Sequence, residues 1–144
     1  RWLIGDEAFF TTLRRWAYPD PAMEKVTDGS QCRFTDTDEI RAIAEKVSGR
    51  DLRWFFDVYA HQPRLPRLDA EAKAGVLHVS WSSPDDLPFP MPVEVEVGGS
   101  LRRLELTDGK AETKVGSAAW ELDPRGWVLR QNQKGPSSTT KPRR

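Results

Sequence analysis

Apolar positions along the chain repeat with one period before Pro66 and with another after it. From about Glu7 to Ala17 the residues Phe9, Leu13, Trp16 and Ala17 fall on one face of a helix. Ahead of them stands the apolar triplet Trp2-Leu3-Ile4, then Gly5 and Asp6. Two readings are open for the triplet. It is the last turn of a helix whose body lies upstream of Arg1, closed by Gly5 with Asp6 capping the next helix, or it is a frayed terminus. Tyr18-Pro19-Asp20-Pro21 stops the first helix. A loop of some 15 residues follows through Gly29, Ser30 and Cys32, with a helical turn expected around Ala22 to Val26.

Asp36 and Glu39 have the spacing of a capping box, with Thr37 as an alternative cap. They open a helix whose face is Ile40, Ile43, Ala44 and Val47, and Gly49 ends it. Asp51 is then expected to cap a third helix with Leu52, Phe55, Phe56 and Tyr59 on one side, flanked by Trp54. An aromatic stripe at this spacing reads as core. Phe9, Leu13, Ile40 and Ile43 should form the helical core beside it.

Beyond Pro66 the period is two. Leu77, Val79 and Trp81 alternate with His78 and Ser80, and Val93, Val95 and Val97 alternate with Glu94 and Glu96, so each strand offers one apolar and one polar face. Gly98-Gly99 turns into a strand carrying Leu104 and Leu106. Asp108-Gly109 is a hairpin signal leading to Ala111, Thr113 and Val115. Trp120-Leu122 and Trp127-Val128-Leu129 are read as further strands around the turn at Asp123-Pro124-Arg125-Gly126. With a first strand near Arg67 to Ala72, the expectation is an α+β chain in two parts. These are a small helical unit over 1–62 and an antiparallel β-sandwich of about seven strands over 63–131. The segment 132–144 lacks apolar residues, carries four positive charges, and is expected to be a disordered basic tail.

Composition narrows the function classes. Twenty-two basic and 22 acidic residues cancel among 144, so no long-range field gathers nucleic acid or an anionic membrane. No apolar run approaches the roughly 18 residues of a membrane span. The single Cys32 cannot form an internal disulfide and leaves the compartment open. The absence of an initial methionine at Arg1 points to a fragment or a processed product.

Catalytic chemistry is hard to find. His61 and His78 stand in different parts, and neither has a second His or a Cys at metal-ligand spacing. No G-x-S-x-G elbow or phosphate-cradling glycine loop occurs. A Cys32 and His61 nucleophile pair is conceivable in composition, but Asp28, Asp36 and Asp38 near Cys32 discourage a thiolate. No catalytic, cofactor-binding or metal-ligating residue is assigned.

Four stretches together resemble the end of an aminopeptidase-N-type zinc metallopeptidase of the gluzincin class. They are LIGDEAFFTTLRRW (Leu3 to Trp16), TDTDEIRAIAEKVSGRDLRWFFDVYAHQPRLPRL (Thr35 to Leu68), LPFPMPVEVEV (Leu87 to Val97) and LDPRGWVLR (Leu122 to Arg130). The resemblance keeps the order of its parts from Leu3 to Arg130. Tyr59 stands where the family commonly has tryptophan, and the Tyr18 to Phe34 loop is longer than its pattern needs. It implies that residues 1–62 are the helical end of a thermolysin-like catalytic domain, followed by the family's β-sandwich. It also implies a parent hydrolase that removes N-terminal residues from peptides. The family's H-E-x-x-H zinc helix, glutamate ligand, amine-binding loop and tyrosine would all lie upstream of Arg1. Zinc would therefore belong to the parent alone, and this chain would be inactive by itself.

The expected role is structural. The chain would complete the catalytic domain's helical core and dock the sandwich through Leu52, Trp54, Phe55, Phe56 and Tyr59, with the upstream catalytic region as its partner. Phe55→Ala is then expected to cost about 3–5 kcal/mol, as for a buried aromatic. This reading also implies an apolar patch left on the helices where upstream helices would sit. The competing expectation is a stand-alone β-sandwich module that recognises a protein or glycan through an aromatic patch of Trp81, Trp120 and Trp127. Peptide specificity and localisation are not legible.

Overall fold

A computed structural model describes residues 1–131, and the expected basic tail at 132–144 lies outside them. Three helices precede two antiparallel sheets of three strands each, an α+β fold. The first helix, α1, spans Asp6–Ala17. Gly5, not Asp6, is its N-cap, at φ 84°, and the Gly5 N–H closes a turn on the Arg1 carbonyl at 2.8 Å. Asp6 is instead the first helical residue and pairs with the Arg1 side chain, an acidic group placed against the positive end of the helix dipole.

The second helix, α2, spans Thr37–Ser48. Its N-cap Asp36 accepts from the Glu39 amide at 2.9 Å, and its C-cap Gly49 is left-handed at φ 68°. The Glu39 carboxylate turns to Thr35 and Arg33. Helix α3 is short, Arg53–Tyr59, and its N-cap is Leu52. Asp51 therefore acts one position outside the expected cap, accepting the Arg53 amide at 2.9 Å in a local turn. The loop between α1 and α2 contains the expected helical turn as a 3₁₀ turn over Pro21–Lys25. Arg33 fastens that loop to both helices, through Glu39 and the Trp16 carbonyl.

The first sheet has the order β1 (Arg67–Lys73), β2 (Val76–Ser82), β5 (Lys110–Lys114). The second has the order β4 (Ser100–Leu104), β3 (Val93–Val97), β6 (Trp120–Leu122). Their apolar faces share one core. Leu68, Leu77 and Val79 from the first sheet meet Val93, Val95 and Val97 from the second, with Leu106 and Val115 between them. Alternation in β2 and β3 supplies those side chains, as the period-two pattern requires.

The seven-strand expectation is corrected to six. Trp127-Val128-Leu129 is not a strand, because its first two amides are taken by a side chain. The Asp123 carboxylate accepts Trp127 N–H at 2.8 Å and Val128 N–H at 3.2 Å. The Asp108-Gly109 turn also differs from a simple hairpin. Both residues have positive φ, 49° and 71°, and Lys110 N–H reaches the Thr107 carbonyl at 2.9 Å. Yet β4 pairs with β3 and β5 pairs with β2, so the chain changes sheet here while Leu106 plugs the corner. The expected polar face of β3 is not a wet face either. Glu94 is buried, because the N-terminal turn and the Arg125 side chain cover it.

Candidate functional site

An apolar groove of about 240 Å³ lies on the helical part. Its floor is made by α1 and α2, through Phe9, Leu13, Ile40 and Ala44. Residues Arg1 to Ile4 form one rim, and Leu52, Phe55 and Phe56 form another. Met91 and Trp127 close it from the β side. The groove exists because the apolar faces of the two amphipathic helices are only partly covered. Leu13 and Trp127 remain exposed, at 36% and 49%, while Phe9 and Ile40 are half-buried.

Its described lining is mostly apolar. The Thr12 hydroxyl is committed to the Ala8 carbonyl at 2.7 Å, and the one charged lining residue, Arg1, is held by Asp6. Among the described residues, no His, Cys, Lys, Asp or Glu lines the groove. The described residues also offer nothing that fits zinc, because no three His, Cys, Asp or Glu side chains among them gather as a ligand set. His61 lies near Asp57 beyond α3, and His78 contacts Glu112 across β2 and β5. Cys32 is exposed in the α1–α2 loop. No described helix is long and apolar enough to cross a membrane.

The groove abuts a second apolar cluster that joins helices to sheets. Val58, Phe89, Met91 and Val128 are its buried members, with Trp54, Phe55 and Tyr59 packed against them. Phe89 is ringed by edge-to-face contacts with Trp54, Tyr59 and Trp81, at centroid distances of 5.5, 5.3 and 5.1 Å. Of the five expected junction residues, Trp54, Phe55 and Tyr59 reach this cluster. Leu52, although buried, lines the groove together with Phe56. Of the four residues expected in a closed helical core, Phe9, Leu13 and Ile40 line the groove. Ile43 is half-buried beside an outer cleft with Tyr18 and Pro19.

Polar contacts fix the junction. The Tyr59 hydroxyl donates to the Leu129 carbonyl at 2.7 Å, and desolvation, followed by the charge of Asp123, pushes its phenol well up. Glu94 is gripped by both ends of the Arg125 guanidinium, and that hydrogen bonding holds its carboxyl below the usual range. On the same outer face of β3 and β4, the Arg103 guanidinium lies 4.4 Å from the Trp2 ring centroid. The N-terminal turn is thereby clipped to the second sheet.

Sequence reasoning missed Val58, Met91 and Glu94. Val58 lies off the aromatic face of α3 and is covered by residues from the β part, so only its tertiary neighbours reveal it. Met91 sits between two prolines, outside any periodic segment. The aromatic patch expected of Trp81, Trp120 and Trp127 is not assembled. Trp81 and Trp120 pack on the core, and the Trp81 indole donates to the Met91 carbonyl at 2.7 Å. In comparisons with known proteins, no protein-family model matches the chain and no curated protein matches it.

Proposed function

We propose that this chain is a non-catalytic C-terminal part of a zinc-dependent aminopeptidase, and that its work is structural. In this reading the helical part completes the core of an upstream catalytic region, and the two sheets are a reduced form of the family's β-sandwich, docked beside it. The observation that carries the reading is the open groove. Two amphipathic helices leave Leu13, Phe9 and Ile40 partly uncovered, which is the surface a missing neighbouring helix would bury.

The occupant we assign is an apolar helical segment preceding Arg1 in the same polypeptide. Residues Arg1 to Ile4 form the rim, and the Gly5-to-Arg1 hydrogen bond is that of a helical turn. A segment joined to Arg1 therefore starts at the groove, with the high effective concentration of a covalent tether. Zinc and the peptide-hydrolysing residues belong in this reading to that upstream region.

The test is the native gene product in source-cell extract, detected with an antibody against this chain. The reading expects a species several times larger than 16.4 kDa that binds zinc and releases N-terminal residues from peptides. A native product near 16.4 kDa, without aminopeptidase activity, overturns it.

A further inference from the structure

The loop between α1 and α2 presents one aromatic ring to solvent in full. Phe34 is 102% exposed, whereas Leu129, the next most exposed large apolar side chain among the described residues, is 62%. Both neighbours of Phe34 in the chain are pinned. Arg33 holds the Glu39 carboxylate with both ends of its guanidinium, at 2.9 and 2.7 Å, and donates to the Trp16 carbonyl at 2.8 Å. The Thr35 hydroxyl accepts the Trp16 indole N–H and donates to Glu39, each at 2.7 Å. Phe34 is thus offered from a fixed backbone, which lowers the ordering cost of any contact it makes.

Beside it lies an open, mostly apolar cleft of about 350 Å³, walled by Trp16, Ala17, Tyr18 and Cys32. Arg33 and Thr35 line the cleft too, yet the Phe34 ring between them stands outside it. A ring and an unfilled cleft of matching chemistry therefore share one face, and within the chain the ring does not fill the cleft. The same face carries both signs of charge. Arg14 and Arg15 stand in the last turn of α1, and Asp36 and Asp38 at the start of α2, with the Trp16-to-Thr35 bond bringing the two helix ends together.

We propose that this face is the interface of a twofold dimer, and that its occupant is a second copy of this chain. A patch that holds both the key and the cleft is self-complementary, as a closed twofold contact requires. Each Phe34 enters the cleft of the other copy, against Trp16 and Tyr18. The rotation sets the basic end of one α1 against the acidic start of the other α2. Aromatic anchors seated in pockets are the residues that carry most of an interface's binding energy. No cleft residue belongs to the groove, so the dimer does not rest on the groove's proposed occupant.

Analytical ultracentrifugation of the 144-residue chain in reductant, from nanomolar to high micromolar concentration, tests this. A monomer–dimer equilibrium is expected, and Phe34→Ser should weaken it by at least about thirtyfold. The ring touches nothing in the fold, so this variant keeps the monomer intact. Alkylation of Cys32 then locates the contact. Its rate should fall as the wild-type dimer forms, and stay constant in Phe34→Ser over the same concentrations. A chain that remains monomeric throughout overturns the proposal. A dimer that survives Phe34→Ser, or that leaves Cys32 equally open to alkylation, also overturns it. If such a dimer is lost on Leu13→Asp, the two copies meet at the groove instead.

Discussion

The helical and β parts hold similar kinds of apolar residue, yet they use them differently. Between the sheets eight core residues are 7% exposed or less, six of them from strands of both sheets. In the helices the buried apolar side chains are Ala44, Leu52 and Val58, while the larger Phe9, Phe55 and Phe56 stay half-open. Two sheets facing each other close a core by themselves. Two amphipathic helices and a seven-residue third do not, because each has apolar surface left after meeting its neighbours. The difference is that the sheets close their shared core, while the helices leave large apolar side chains half-open.

That contrast can be broken most directly in the β core. Leu77→Ala removes a fully buried side chain and should cost about 2–5 kcal/mol in urea denaturation of this chain. A cost under about 1 kcal/mol would mean that the sheets do not carry the stability. Phe55→Ala, expected from sequence to cost as much as a fully buried aromatic, should cost less here, about 1–3 kcal/mol, because its ring is only partly covered. In the larger polypeptide of the proposed reading, the same substitution should cost more. Equal costs in the two settings would remove the case for a missing neighbour.

Acid probes the seam between the parts. The Glu94 carboxyl is held below its ordinary 4.5 by hydrogen bonding to Arg125, so ionisation stabilises the fold. That contribution is complete above about pH 4.5 and is lost as pH falls through the lowered folded value. Urea midpoints measured from pH 7 to pH 3 should fall, and Glu94→Gln should flatten the acid limb. An unchanged acid limb in the variant would show that Arg125 does not clamp the seam. The smallest effect is expected at Phe34, which is fully exposed in the α1–α2 loop. Phe34→Ser should alter stability by less than about 0.5 kcal/mol. A larger loss would mean that the loop packs on the helices.

Much of the architecture was legible because local rules and burial agreed. Gly49 ends α2 in the left-handed conformation, and Asp36 caps its start, both single-residue decisions made by the backbone. The change of period near Pro66 separates helices from strands correctly. The failures share a cause in distant contacts. Asp108-Gly109 makes the expected tight turn, but its strands join different sheets, and no local pattern encodes that choice. Trp127 to Leu129 has strand-like composition, but Asp123 claims its amides. Glu94 obeys alternation and still becomes buried, because Trp2 and Arg125 arrive from elsewhere in the chain. The groove was legible as a patch on the helices, but its β-side wall was not. Neither Met91 nor Trp127 belongs to a periodic stretch that ends beside α1.

The change of sheet at Asp108-Gly109 also orders events in time. Strands β1 and β2 are joined at Ala74-Gly75, and β3 and β4 at Gly98-Gly99, both two-residue turns with positive φ. Each pair can form from its own neighbourhood within microseconds. Strand β5 instead returns to β2, with Ala111 opposite Val79, and β6 returns to β3, with Leu122 opposite Val95. Those pairings must close long loops before any contact rewards them. Folding therefore waits on the arrival of β5 and β6, and the first hairpins spend that interval with their apolar faces in water.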